Sequence, residues 1–129
     1  MRIETEEHGA HAVIRPKGTF ALGEATQALA ETLTRFETEK SGAILVDLTD
    51  LKALDSTALG LLVGCLRRMH ALNRQVILVN PNARVRLLLS MTQLDSVFPI
   101  HSGTTEAFDD LERKTGGVTD RDSRSRDRV

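Results

Sequence analysis

VDLTDLKALDSTALGLLVG, residues 46–64, is the stretch that decides how this chain folds. The apolar run from Ala43 to Leu48 reads as a buried strand, and a short loop follows it. The loop ends at Asp55-Ser56-Thr57, and a helix from about Thr57 to Leu72 starts there. Asp, Ser and Thr open helices because a side-chain oxygen accepts a backbone N–H that the first turn leaves unpaired. One of these hydroxyls therefore sits where the amides and the helix dipole favour negative charge, and a phosphate is carried there with little strain.

Working outward toward the N-terminus, Leu22, Ala25, Leu29, Leu33 and Phe36 recur at spacings of three and four. Glu24, Gln27, Glu31, Arg35 and Glu39 fill the other face, which makes an amphipathic helix ended by Ser41-Gly42. Before it, Arg2 to Glu6 and Ala10 to Lys17 read as two strands of a hairpin turning at His8-Gly9. Pro16 suits such a hairpin at a sheet edge, since it has no N–H to give to a central ladder.

Toward the C-terminus, Gln75 to Val79 is a second continuous apolar strand. Asn80-Pro81-Asn82 then starts a helix whose core side is Val85, Leu88 and Leu89. Val97 to Ile100 is a short extended piece, and Ser102 or Thr104 caps a last helix carrying Ala107, Phe108 and Leu111. From Gly116 the run GGVTDRDSRSRDRV has mixed charge and almost nothing to bury, so it is expected to be disordered. This order predicts one α/β domain over residues 1–115 and a tail over 116–129. The sheet is expected to be mixed, with about five strands, an N-terminal antiparallel hairpin, right-handed crossovers and about four helices.

Composition narrows the function classes. The 129 residues suffice for a single core, and 40% are apolar, as in ordinary globular domains. A net charge of -1 and the lack of Trp and Tyr argue against direct nucleic-acid binding or an acidic membrane surface. The start MRIETEEHG is acidic and lacks the apolar core of a signal peptide, so a cytoplasmic location is expected. Cys65, the sole cysteine, excludes an internal disulfide and reads as a small buried hydrophobe. His8, His11, His70 and His101 show no metal-ligand spacing within one element. Asp109-Asp110 reads as solvated surface, and no nucleophile elbow or phosphate-binding glycine loop is present. No enzyme activity, metal or cofactor is expected.

DLTDLKALDSTALGLLVG, followed downstream by NPNARVRLLLSMTQLDSVFPIHSGTTEAF, resembles the STAS domain in its anti-sigma factor antagonist branch. The resemblance runs from the first strand to about Leu111 and implies a STAS-type fold. It implies binding to an anti-sigma factor that is also a serine kinase, with release of a sigma factor. It further implies that the kinase phosphorylates Ser56, that the phosphorylated form no longer binds, and that a phosphatase restores it. The chief alternative is a STAS-type regulatory subunit of an ABC-type lipid-transport complex, in which Ser56 need not be modified. Two positions depart from the family pattern. Ala58 stands where Gly is common, and its Cβ is expected to narrow the approach of a partner backbone. The run Gly18-Thr19-Phe20-Ala21 lacks the acid usual after such a glycine, which bears on kinase docking.

On a helical wheel Leu59, Leu62, Val63 and Leu66 point to the core. Thr57, Gly60, Gly64 and Ala71 fall opposite, with Arg67 and Arg68 beside them. Each glycine inside a helix costs about 1 kcal/mol against alanine. Either a flat docking face or tight packing inside the domain offsets that cost. Read from the residues alone, Ser56 as a plain cap is the simpler reading; the resemblance reverses that order. Thr57 is a second hydroxyl in the same turn, and Asp55 either orients the kinase or holds the loop. The expected partner-binding set is Asp55, Ser56, Thr57, Ala58, Gly60, Gly64 and Arg67, with Ser56 the phosphorylated residue.

Overall fold

The computed structural model describes residues 2–20 and 23–116. It contains six strands and four helices in the order β1 (Arg2–His8), β2 (His11–Phe20), α1 (Glu24–Glu39), β3 (Ile44–Asp47), β4 (Leu51–Leu54), α2 (Ser56–Ala71), β5 (Val76–Val79), α3 (Ala83–Met91), β6 (Ile100–His101) and α4 (Thr104–Gly116). A short 3-10 turn, Leu94–Ser96, joins α3 to β6. Of the tail expected over 116–129, Gly116 ends α4, and the remainder, together with Ala21 and Leu22, lies outside the described residues.

The sheet order is β1-β2-β3-β5-β6, with β4 also pairing to β2. Among the described residues only β1 and β2 run antiparallel; every other pair is parallel. The hairpin register sets His8 opposite His11, so the turn is Gly9-Ala10, one residue later than expected. Gly9 has φ 59 while Ala10 keeps an ordinary φ, the pattern of a II′ turn that needs glycine first.

β1 is the sheet edge, and β2 is interior, which places Pro16 in a strand with neighbours on both sides. A local break makes this possible. β2 pairs with β3 through Ala12–Ile14 and with β4 through Gly18–Phe20, and Pro16 falls between the two ladders. The Ala12 N–H donates to the Ala43 oxygen and the Gly18 N–H to the Asp50 oxygen. By two-residue alternation the missing N–H of Pro16 points into the gap between them.

β4 is the strand absent from the sequence reading, where residues 49–54 form a loop. It has four residues and no clear alternation, and its pairing with β2 creates it. Helix α1 buries Leu29, Leu33 and Phe36. Helix α2 buries Leu59, Leu62, Cys65, Leu66 and Met69, whereas Val63, expected in the core, is half-buried. These two helices, with α3, cover one face of the sheet through Ala12, Ile14, Ile44, Val46, Val76 and Leu78. On the other face, α4 packs Ala107 and Leu111 on Val13, Leu45, Ile77 and Val79. β3 and β5 are thus covered on both sides, which is why they read as unbroken apolar runs.

Candidate functional site

Parallel β4 and β5 lead into α2 and α3, so both helices begin at the same edge of the sheet. The first turn of α2 is fixed by Asp55. Its backbone is extended, and its Oδ1 accepts the Ala58 N–H at 2.9 Å. Its own N–H donates to the Phe20 oxygen at 3.0 Å, tying the turn to the end of β2. Asp55 is therefore the cap, and the plain-cap reading of Ser56 does not hold. Ser56 is the first helical residue and is exposed. Among the described residues its hydroxyl has no hydrogen-bond partner. Thr57 is exposed beside it.

One helix turn further on, Gly60 is exposed, and a Cβ built on it meets nothing within 4 Å. Packing inside the domain does not explain this glycine. Gly64 differs: its Cβ would lie 3.2 Å from the Arg68 guanidinium, a flexible group of the same helix. Arg67 is exposed and has no acidic partner among the described residues. At about 100° per residue, Ser56, Gly60, Gly64 and Arg67 share one face of α2.

Ala58 is the correction. It is 0% exposed and belongs to the main core. Two residues past Ser56, it lies about 200° round the helix. Its Cβ therefore packs inward and takes no part in the outer face, contrary to the expected narrowing of a partner's approach.

Arg68, unlike Arg67, is engaged. Its Nε and Nη2 donate to the two carboxylate oxygens of Glu37 at 2.6 and 2.9 Å, a paired geometry that holds the Glu37 carboxyl below its usual range. Cys65 lies beneath this pair at 0% exposure, and burial, with the nearby Glu37, pushes its thiol up to about 12. Such a thiol is inert. Among the described residues no group of three His, Cys, Asp or Glu side chains is placed to hold a metal, and no helix is long and apolar enough to cross a membrane.

The sequence reading missed a groove beside the site. Leu54, at the end of β4, and Arg84, Val85, Leu87, Leu88 and Met91 of α3 line an open concavity of about 280 Å³. Leu87 and Met91 were visible as apolar residues on the wrong side of that helix, which was the available signal.

The model of the STAS domain family matches residues 2–107. A Thermotoga neapolitana protein bearing the name of an anti-sigma factor antagonist homologue is 35% identical over 69 residues, 54% of this chain and 61% of its own length. The match thus spans less than two thirds of that relative. The anti-sigma-B factor antagonist of Staphylococcus aureus is 29% identical over 76 residues, 59% of this chain and 70% of its own. The structure of the Bacillus cell fate determinant SpoIIAA in its phosphorylated form has a TM-score of 0.70 at 22% identity, covering 85% of this chain and 99% of that one. At that identity the likeness is one of fold. The chain belongs to the STAS domain family.

Proposed function

We propose that this STAS-domain chain is an anti-sigma factor antagonist switched by phosphorylation at Ser56. The unphosphorylated form binds an anti-sigma factor with serine-kinase activity and so releases a sigma factor. The kinase phosphorylates Ser56 and ends the complex, and a phosphatase restores it. The protein acts by docking and has no catalytic role of its own.

The observation that carries this reading is the division of labour between Asp55 and Ser56. Asp55 caps the helix, so the Ser56 hydroxyl is exposed and has no structural task among the described residues. Modification there leaves the fold intact. A phosphate adds about -1.5 to -2 charges. In the free domain the N-terminus of α2 offsets part of that charge. In a docked complex the same group meets desolvation, bulk and any facing carboxylate, and like charges in contact cost several kcal/mol. Each ~1.4 kcal/mol is tenfold in affinity. The open face at Gly60 supports the same reading, since it lets a partner backbone approach closely. The names carried by the Thermotoga and Staphylococcus relatives support it as well.

The test uses the anti-sigma factor kinase of the source organism. Incubation with that kinase and ATP, followed by mass spectrometry, is expected to place one phosphate on Ser56. Ser56→Ala is expected to bind the kinase within about twofold of wild type, and Ser56→Asp to lose about a hundredfold. Phosphate on another residue, or equal affinities for the two variants, overturns the switch. Capture of an ABC-type ATPase in place of a histidine-kinase-like ATPase overturns the anti-sigma reading.

A further inference from the structure

α3 turns two large apolar side chains to solvent, Leu87 at 60% and Met91 at 73% exposure. Exposing them costs solubility and gains nothing inside the fold. With Leu54 and Leu88 they form the apolar lining of the groove. Leu54 lines the groove and immediately precedes the Asp55 cap, so the groove lies beside the Ser56 turn. Asn82 fixes their relation: its Nδ2 donates to the Leu51 oxygen at 2.8 Å, and its Oδ1 caps α3 by accepting the Val85 N–H at 2.9 Å.

Charge selects the occupant. Arg84 lies in the first turn of α3, which contains no acid and where the helix dipole disfavours a cation. Lys52 lies in β4, and its carbonyl accepts from the same Asn82 side chain at 3.3 Å. Among the described residues neither Arg84 nor Lys52 has an acidic partner, in contrast to Arg15, Lys17, Lys40 and Arg68. The N-termini of α2 and α3 point to this same edge and add their positive ends. The groove is therefore an apolar trough with Arg84 in its lining and Lys52 on the same side of β4 as Leu54, two cations and two helix N-termini against the single carboxylate of Asp55, which is held in its cap.

We propose that this groove seats an acidic amphipathic segment of the anti-sigma partner. An apolar side chain of that segment enters between Leu54, Leu87 and Met91, and its carboxylates meet Arg84 and Lys52. The inference rests on the anti-sigma reading and names the chemistry of the partner. A phosphate on Ser56 then acts twice: it repels the carboxylates, and it cancels the positive field that draws them in.

The experiment compares the wild type with the double variant Leu87→Asp/Met91→Asp, with Arg84→Glu, and with Leu72→Asp as a control. Leu72 is equally exposed, at 62%, but follows the far end of α2. All four positions are on the surface, and circular dichroism checks that each variant folds. Against the anti-sigma factor kinase, the double variant is expected to lose about thirtyfold or more in affinity, and Arg84→Glu about tenfold with a flatter salt dependence. The control is expected to stay within about twofold. If the groove variants bind like wild type while Ser56→Asp does not, the groove is overturned and the switch stands. If the wild type binds no anti-sigma factor, the parent reading falls, and a second arm decides the groove. In that arm a synthetic amphipathic helix, with a leucine stripe flanked by glutamates, is titrated into the full chain and followed by amide chemical shifts. Shifts at Leu54, Leu87, Leu88 and Met91 that vanish in the double variant, and with a lysine-flanked peptide, uphold the site. Absent shifts, or equal shifts with the lysine peptide, overturn it.

Discussion

At the end of the domain where β2, β3 and β5 begin and α1 and α2 finish, the chain satisfies its own polar groups. Arg74 donates from Nε to the Gly42 oxygen, from Nη1 to the Glu37 oxygen and from Nη2 to the Phe36 oxygen. Those last two carbonyls belong to the closing turn of α1, which has no basic residue of its own. The Ala43 N–H donates to His11 Nδ1 at 2.9 Å, and the Gly42 N–H to the Ala10 oxygen at 2.8 Å. A Cβ at Gly42 would lie 2.4 Å from that same His11 nitrogen, so no other residue fits. At the opposite end, where α2 and α3 begin, the two caps complete the backbone and little else is tied. Ser56, Thr57, Gly60 and Arg84 are all exposed there. The contrast teaches that stability and interaction occupy separate ends of one small domain. A change at the first end should move stability, and a change at the second should move binding.

The largest expected effect, and the sharpest test of that division, is Arg74→Met, which keeps the bulk and removes every donor. The Gly42 and Glu37 carbonyls lose this donor, while the Phe36 oxygen keeps the Lys40 N–H, and a loss of about 2 kcal/mol is expected in urea unfolding. Binding by the folded fraction should not change; a fall in affinity would show that the two ends are coupled. Next is Asp55→Ala, which removes the cap and should cost about 1 kcal/mol, while Asp55→Asn keeps an acceptor and should lie near wild type. Equal stability of the two would remove Asp55 from the cap role. Smaller and opposite in sign is Gly60→Ala. With nothing near the added Cβ, thermal unfolding should show a gain of up to about 0.8 kcal/mol, while affinity for the proposed anti-sigma partner falls. Gly64→Ala should gain less, because Arg68 must give way and its pair with Glu37 is disturbed.

The smallest effect is one of pH. His11 accepts at Nδ1, so the fold holds its ring neutral, and burial lowers its affinity for a proton below the ordinary value of 6.5. Below that pH the unfolded chain takes up the proton more readily than the native one. Stability is thus fully present above about pH 6.5 and declines as pH falls beneath it. His11→Asn keeps an acceptor that does not titrate, and its unfolding midpoint should change less than that of wild type between pH 7.5 and 5.5. Equal pH slopes would assign the decline to another group. The carboxyl of Glu37, lowered by Arg68, acts in the same direction, but only below its own ordinary value of 4.5.

Much of this was legible in the residues. β3 and β5 announced themselves as unbroken apolar runs because both faces are covered. α1 showed its stripe of Leu29, Leu33 and Phe36 because only one side is buried. The Asp55-Ser56-Thr57 turn was visible as a helix start. Which of its three side chains caps was not visible, since all three types can do so and the backbone register at β4 decides. β4 itself was hidden, because Leu51–Leu54 becomes a strand only beside the end of β2. Ala58 was misplaced because its role was carried over from a family pattern, while its position on the helix turns it inward.

Local chemistry written along the chain, in apolar periodicity, capping residues and the composition of each segment, determined every element but β4 and their order, while the family came from the resemblance of two longer motifs. The tertiary structure alone decided what those elements leave open. Whether Gly60 meets a neighbour, whether Arg68 or Arg67 is engaged, and whether Leu87 and Met91 are covered depend on groups distant in sequence. Contacts of that kind have no periodicity to read, because they arise only when the sheet brings the ends of α1 and α2, and the starts of α2 and α3, side by side.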